Sequence, residues 1–331
     1  MPNQPTTTID EIRQQFLSKL AEGFEEKEPR GLYAPIDYIL QLGGKRVRPT
    51  VALLSGKMFG DEGFENSMSV ALAVEIFHNF TLLHDDIMDD SPIRRGQPTV
   101  HEKWDVNTGI LSGDLMLIQA YEHLCRCPNT EAIPAMLRTF NRVATGVCEG
   151  QQYDVDFENR EDVTIPEYVR MIELKTAVLL GGALELGALA AGASTSDADH
   201  LYGFGRLTGL AFQLQDDLLD TFGDSAATGK RTGNDIIRNK KTFLFLKALE
   251  LLSEDDGEEL KQWFTTNPDD PTEKVRRVTD LMQAAGIPAA VATLRDEYQQ
   301  KAYEHLEAAG GDPEIKKLLV ALAEGLLKRD H

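Results

Sequence analysis

Two runs of carboxylates could do chemistry in this chain: Asp85, Asp86, Asp89 and Asp90 in HDDIMDD, and Asp216, Asp217 and Asp220 in QDDLLD. Each closes an apolar stretch with helical spacing, and residues four apart share a helix face. Asp85 and Asp89 therefore point one way, with Asp86 about 100° further round; the second run repeats the arrangement. Like charges on one face repel unless a cation lies between them, and oxygen-only ligands suit a hard ion such as Mg²⁺. Arg94 and Arg95 follow the first run, and paired guanidinium groups fit phosphate best. The pattern predicts a metal site beside an anion site. Asp255-Asp256 and Asp269-Asp270 adjoin Gly257 and Pro271 and read as solvated turns. Asp90 reads as a spare solvated carboxylate.

Long helices must position these groups, and the chain offers them. Thr8-Ile9-Asp10-Glu11 fits a capping box ahead of a helix, and Thr164-Ile165-Pro166-Glu167 fits another. Helical patterns run over about 32–42, 50–59, 65–90, 107–124, 131–157 and 197–222, with further helices to the end. Gly43-Gly44 breaks the chain before Lys45, and 223–239 reads as a loop rich in Gly, Lys, Thr and Asp. No period-two alternation marks a strand and no linker divides the chain. The expectation is an all-α fold, one large helical bundle over 1–331, with the two aspartate helices side by side around a cavity. A redox di-metal bundle would need a Glu-x-x-His motif on each of two helices, and the chain has that spacing once, at Glu75–His78.

Composition removes other classes. The 331 residues are 42% hydrophobic, enough for a sizeable core, and the net charge of −20 argues against nucleic acid or an anionic membrane as partner. Three cysteines form no disulfide framework and point to a reducing, cytoplasmic setting. The longest apolar run, 177–193, holds Glu185 and four glycines and is too short to span a membrane; it reads as a buried helix and a candidate contact with a second copy. Lys45, Arg48 and Arg95 could form one diphosphate pocket, and Arg94, Lys175, Lys230 and Lys240 a second.

These residues together identify a resemblance. From about Tyr33 to Leu327 the chain resembles the trans-isoprenyl diphosphate synthases (polyprenyl synthetases), through GGKRVRP at 43–49, HDDIMDDSPIRRG at 84–96, GQQYD at 150–154, LKTA at 174–177, FQLQDDLLD at 212–220, GKRTGND at 229–235 and KKT at 240–242. The resemblance implies that Lys45, Arg48, His78 and Arg95 hold the diphosphate of isopentenyl diphosphate. It implies that Asp85, Asp89 and Asp216 ligate three Mg²⁺ ions, supported by Asp86, Asp217 and Asp220. Arg94, Lys175, Lys230 and Lys240 would bind the allylic diphosphate, and Thr176 and Gln213 would turn oxygens toward the developing allylic cation. A homodimer is also implied. His84 reads as a helix-packing residue or one that supports the metal ligands.

Phe80, five residues before Asp85, and Phe77, eight before, line one helix wall with Val74, and Thr81 is small. This arrangement resembles short-chain synthases that stop near C20, so geranylgeranyl diphosphate is expected, with farnesyl diphosphate (C15) or a longer product as alternatives. Asn239 stands where the family usually has Gly, which puts the reach of Lys240 in question. A terpene cyclase would not need Lys45 and Arg48. A non-catalytic subunit of a heteromer would be expected to have lost one aspartate cluster.

Overall fold

The computed structural model describes residues 8–24, 26–223 and 233–328. Both capping boxes form. Thr8 Oγ1 accepts from Glu11 N at 3.2 Å and opens α1 (Ile9–Ala21), which buries Ile12, Phe16 and Leu20. Thr164 and Glu167 close the same reciprocal pair at the start of α8 (Ile165–Ile172). The fold is all-α, as expected. Its described strands are two residues each, Ile93–Arg94 paired antiparallel with Gln97–Pro98. Arg95 and Gly96 between them both have positive φ, +52° and +74°, the requirement of a two-residue type I′ hairpin.

The chain divides into two compact units. The first comprises 1–141, 182–202 and 309–319. Its centre is α4 (Asp61–Met88), packed on α3 (Val47–Lys57) and α6 (Val106–Cys125). α6 comes close because Gly113 leaves room for His84: a Cβ there would lie 2.3 Å from His84 Nε2. His84 thus packs on α6, the first of the two roles expected of it, with Nε2 3.3 Å from the Ile110 carbonyl. α9 (Val178–Ala190) enters this unit from 182 onward and is buried, with a Cβ at Gly187 only 2.1 Å from the Ala52 carbonyl oxygen. That burial leaves α9 no face for the contact with a second copy expected of it.

The second unit comprises 142–181, 203–308 and 320–331. It holds most of α7 (Ile133–Glu158), α8, most of α10 (Thr195–Phe222) and the helices Phe243–Leu251, Glu254–Trp263, Thr272–Ala284 and Ile287–Ala308. Between α8 and α9 the chain makes one π-helical turn, Glu173–Ala177, an irregularity found mostly at functional sites. Asp255 and Asp256, read as a turn, are instead the first turn of a helix capped by Ser253. Acidic groups are favourable there because they face the positive end of the helix dipole. No described helix is long and apolar enough to cross a membrane.

Candidate active site: two aspartate-bearing helix ends

The first aspartates sit where α4 runs out. Asp85 and Asp86 lie in its last turn and Asp89 is its C-cap, its N–H bonded to the Asp85 carbonyl at 2.9 Å. The hairpin turns Arg94 back onto this end. Its Nε and Nη2 donate to the two oxygens of buried Asp86 at 2.7 and 2.6 Å, a bidentate fork, and Nη2 lies 3.8 Å from Asp85. Burial raises the Asp86 pKa despite this pairing.

Beside this end lies a crowd of cations. Arg48 Nη1 meets His78 Nε2 at 3.3 Å, while the Arg48 Nε has no partner. Burial lowers the Arg48 pKa to about 10, with Arg95 adding to the effect. Burial, then Arg48, Arg95, Arg94 and Arg46, hold His78 well below its ordinary pKa, so its ring is neutral and accepts from Arg48. Arg95 reaches across to donate to the Gly43 carbonyl. Gly44, at φ +120°, permits this: a Cβ there would lie 2.8 Å from the Arg95 guanidinium carbon. Lys45 is exposed on the same turn. Phe77 is fully buried, edge-on to Phe140 at 5.1 Å; Phe80 is half-buried, 5.6 Å from Phe77 and 4.8 Å from the His84 ring. Thr81 is half-buried, its hydroxyl on the His78 carbonyl at 2.8 Å.

In the second unit the aspartates end α10. Asp217 is buried and accepts from the Tyr168 hydroxyl and from Gln213 Nε2 at 3.0 Å. Burial first, then the charges of Asp235 and Asp216, raise its pKa to about 8. Asp220 accepts from the Asp235 N–H at 2.9 Å; burial and Asp220 push Asp235 up to about 6. Asp216 is half-buried in the same turn. Burial and mutual repulsion outweigh the nearby Lys240 charge at these carboxyls, and an all-oxygen donor set of this kind fits Mg²⁺. On the π turn, Lys175 Nζ bonds Asp154 at 2.5 Å and the Thr176 hydroxyl bonds Gln213 Oε1 at 3.3 Å. Lys240 follows Asn239, its N–H on the Asp235 carbonyl at 2.9 Å. Lys230 lies outside the described residues.

Several residues without an assigned role prove central. Arg46 is buried against Glu75, which also accepts from Asn79 at 3.0 Å; a lone Glu inside an apolar helix was the available signal. Asp154 and Asp235 lie within quoted motifs, and Tyr168 gave no signal. Asn239 adopts φ +57°, held by buried Lys274 and by Asn267. Asn is one of the few residues that tolerate the left-handed region, so it replaces Gly here without loss of the turn.

A family model described as polyprenyl synthetase matches residues 29–282. A geranylfarnesyl diphosphate synthase of Natronomonas pharaonis is 34% identical over 98% of both chains. Among solved structures, a geranylgeranyl pyrophosphate synthase is 46% identical, with TM-score 0.93, covering 98% of this chain and all of that one. Another, from Corynebacterium glutamicum and complexed with isoprenyl diphosphate and magnesium, is 28% identical over 97% of each chain, TM-score 0.83. The chain belongs to the polyprenyl synthetase family and is a trans-prenyltransferase.

Proposed function

We propose that the chain condenses isopentenyl diphosphate head to tail with allylic diphosphates and stops at geranylgeranyl diphosphate. The observation that carries the diphosphate reading is the crowd of Arg48, Arg94, Arg95 and neutral His78 beside a carboxylate-bearing helix end. Arg48 carries a lowered pKa and a donor without a partner. An incoming anion relieves both. The 46% identical geranylgeranyl pyrophosphate synthase and the half-buried Phe80 support C20.

In this reading Lys45, Arg48, His78 and Arg95 hold isopentenyl diphosphate. Asp85, Asp89 and Asp216 ligate Mg²⁺, three ions per site, with Asp86, Asp217 and Asp220 behind them. When bound, the magnesium supplies charge neutralisation for the departing diphosphate. Arg94, fixed by its fork on Asp86, turns its remaining nitrogen to the allylic diphosphate, together with Lys175, Lys230 and Lys240. Thr176 and Gln213 present oxygens where positive charge develops. The double bond of isopentenyl diphosphate attacks that carbon, and the departing diphosphate takes the proton then lost; no side chain is assigned as base. Apolar walls exclude water, which would quench the cation.

Residues 1–331 then work as a single polyprenyl synthetase domain. A homodimer is supported by α6, which leaves Val106, Ile110, Leu111 and Ile118 exposed on one side. The test is incubation of labelled isopentenyl diphosphate with Mg²⁺ and dimethylallyl, geranyl or farnesyl diphosphate, followed by chain-length chromatography. A C20 end product is expected; condensation ending at C15 or C25 corrects the length, and no condensation overturns the reading.

A further inference from the structure

We propose that Asp90, His101 and Glu102 form a binding site for a borderline divalent cation of the Zn²⁺ or Co²⁺ kind, distinct from the oxygen-only aspartates. Asp90 follows α4 in the left-handed region at φ +49°, and His101 and Glu102 lie on α5 (Val100–Lys103). The intervening loop is tied shut: the Thr99 hydroxyl donates to the Ser91 carbonyl at 2.8 Å, and Thr99 N to the Pro92 carbonyl at 3.1 Å. One ligand atom from each of the three residues lies within 4.8 Å of the other two.

The imidazole is what points to a ligand. The His101 side chain is only 5% exposed, yet neither ring nitrogen has a hydrogen-bond partner. Glu102 Oε1 lies 3.9 Å from Nε2, beyond hydrogen-bond range. Buried imidazoles ordinarily pair both nitrogens, and a metal ion would occupy one of them. One nitrogen and two carboxylates suit Zn²⁺ or Co²⁺ better than Mg²⁺. Ligands about 2.0–2.2 Å from such an ion stand at most about 4 Å apart. Asp90 and Glu102 are exposed, so a small side-chain rotation closes the remaining gap. The adjacent Lys103 ammonium is directed elsewhere, 3.7 Å from the centre of the Tyr38 ring.

The test is a titration of the full chain with Co²⁺ in excess Mg²⁺, read by visible absorption and equilibrium dialysis. One Co²⁺ per chain is expected, with bands that Zn²⁺ displaces. His101→Asn abolishes the bands, and Glu102→Gln weakens binding by about tenfold or more, as loss of a ligand should. Asp85→Asn leaves the bands in place. Bands that survive His101→Asn, or that disappear in Asp85→Asn or under excess Mg²⁺, overturn the proposal. Should His101→Asn fail to fold, the exposed Glu102→Gln decides: unchanged Co²⁺ affinity there is equally fatal.

Discussion

Asp86 and Asp217 hold the same place in the same pattern, the second aspartate of Asp-Asp-x-x-Asp at a helix end, and both are buried. Their surroundings handle that burial in opposite ways. Asp86 is met by the Arg94 fork, and its pKa rises only against an adjacent cation. Asp217 is met instead by a tyrosine and a glutamine, with a second carboxylate nearby, and it is pushed to about 8. One motif therefore yields a carboxyl paired with an arginine in one unit and a proton-holding carboxyl in the other. A repeated motif fixes ligand chemistry but not protonation, which depends on what the rest of the fold brings up.

The largest effects should fall on the property that the clusters share. Asp85→Ala and Asp216→Ala are each expected to lower kcat/KM by at least ~10²–10³-fold, the scale of losing a group that stabilises developing charge. Chelation should abolish turnover in the unmodified protein. Losses that differ by more than an order of magnitude would break the symmetry of the two clusters.

The contrast itself is probed by stability. Arg94→Ala leaves the Asp86 charge buried without its partner, which costs about 3 kcal/mol, the low end for such pairs because Arg94 is a quarter exposed. Tyr168→Phe removes one hydrogen bond from a carboxyl that can hold its own proton, and about 1 kcal/mol is expected. Denaturant melts of both variants compare the two. Equal costs would mean that Asp217 is charged in the folded protein.

The sequence made the ligand types legible because identity and spacing carry that information. Thr8 and Thr164 announced their helices, since a capping box is complete within four residues. Ser253-Glu254-Asp255-Asp256 was misread because Gly257 suggested a turn, although an exposed helix start accommodates both acids and glycine. The hairpin at Arg94 was invisible because two-residue strands cannot show a period. The π turn at Glu173–Ala177 was hidden because ELKTA continues a helical pattern. Partner choice was the larger gap. Tyr168 and Asp217 lie 49 positions apart, and Asn239 and Lys274 35 apart; only tertiary packing joins them.

The proton on Asp217 makes its own prediction. Its folded pKa, about 8, lies above the unfolded value of 3.8, so the folded state binds the proton more tightly. The resulting stability is full below about pH 4 and is lost as pH rises through about 8. Metal-free protein should therefore melt progressively lower between pH 5 and 8, with a slope from this group of at most about 1.4 kcal/mol per pH unit. Asp217→Asn should flatten that slope, and Asp86→Asn should change it less. An unchanged slope in Asp217→Asn would remove the proton from this site.

The last difference between the two helices lies above the aspartates. Five residues before Asp85 α4 carries Phe80, whereas α10 carries Ala211 five before Asp216. Phe80→Ala thus makes the first helix resemble the second at this position. Phe80 is half-buried and touches Phe77 and His84, so its removal should cost about 1–2 kcal/mol, less than the ~3–5 of a fully buried phenylalanine. Phe77 is fully buried and braced by Phe140, so it should hold its place when Phe80 is lost. If Phe80 forms the floor under the growing chain, the variant should release products at least one C5 unit longer, with Phe77 as the next stop. Chromatography of the products separates the two roles. A destabilised variant with an unchanged product profile leaves Phe80 as core packing, and α4 and α10 then differ only in how they hold their aspartates.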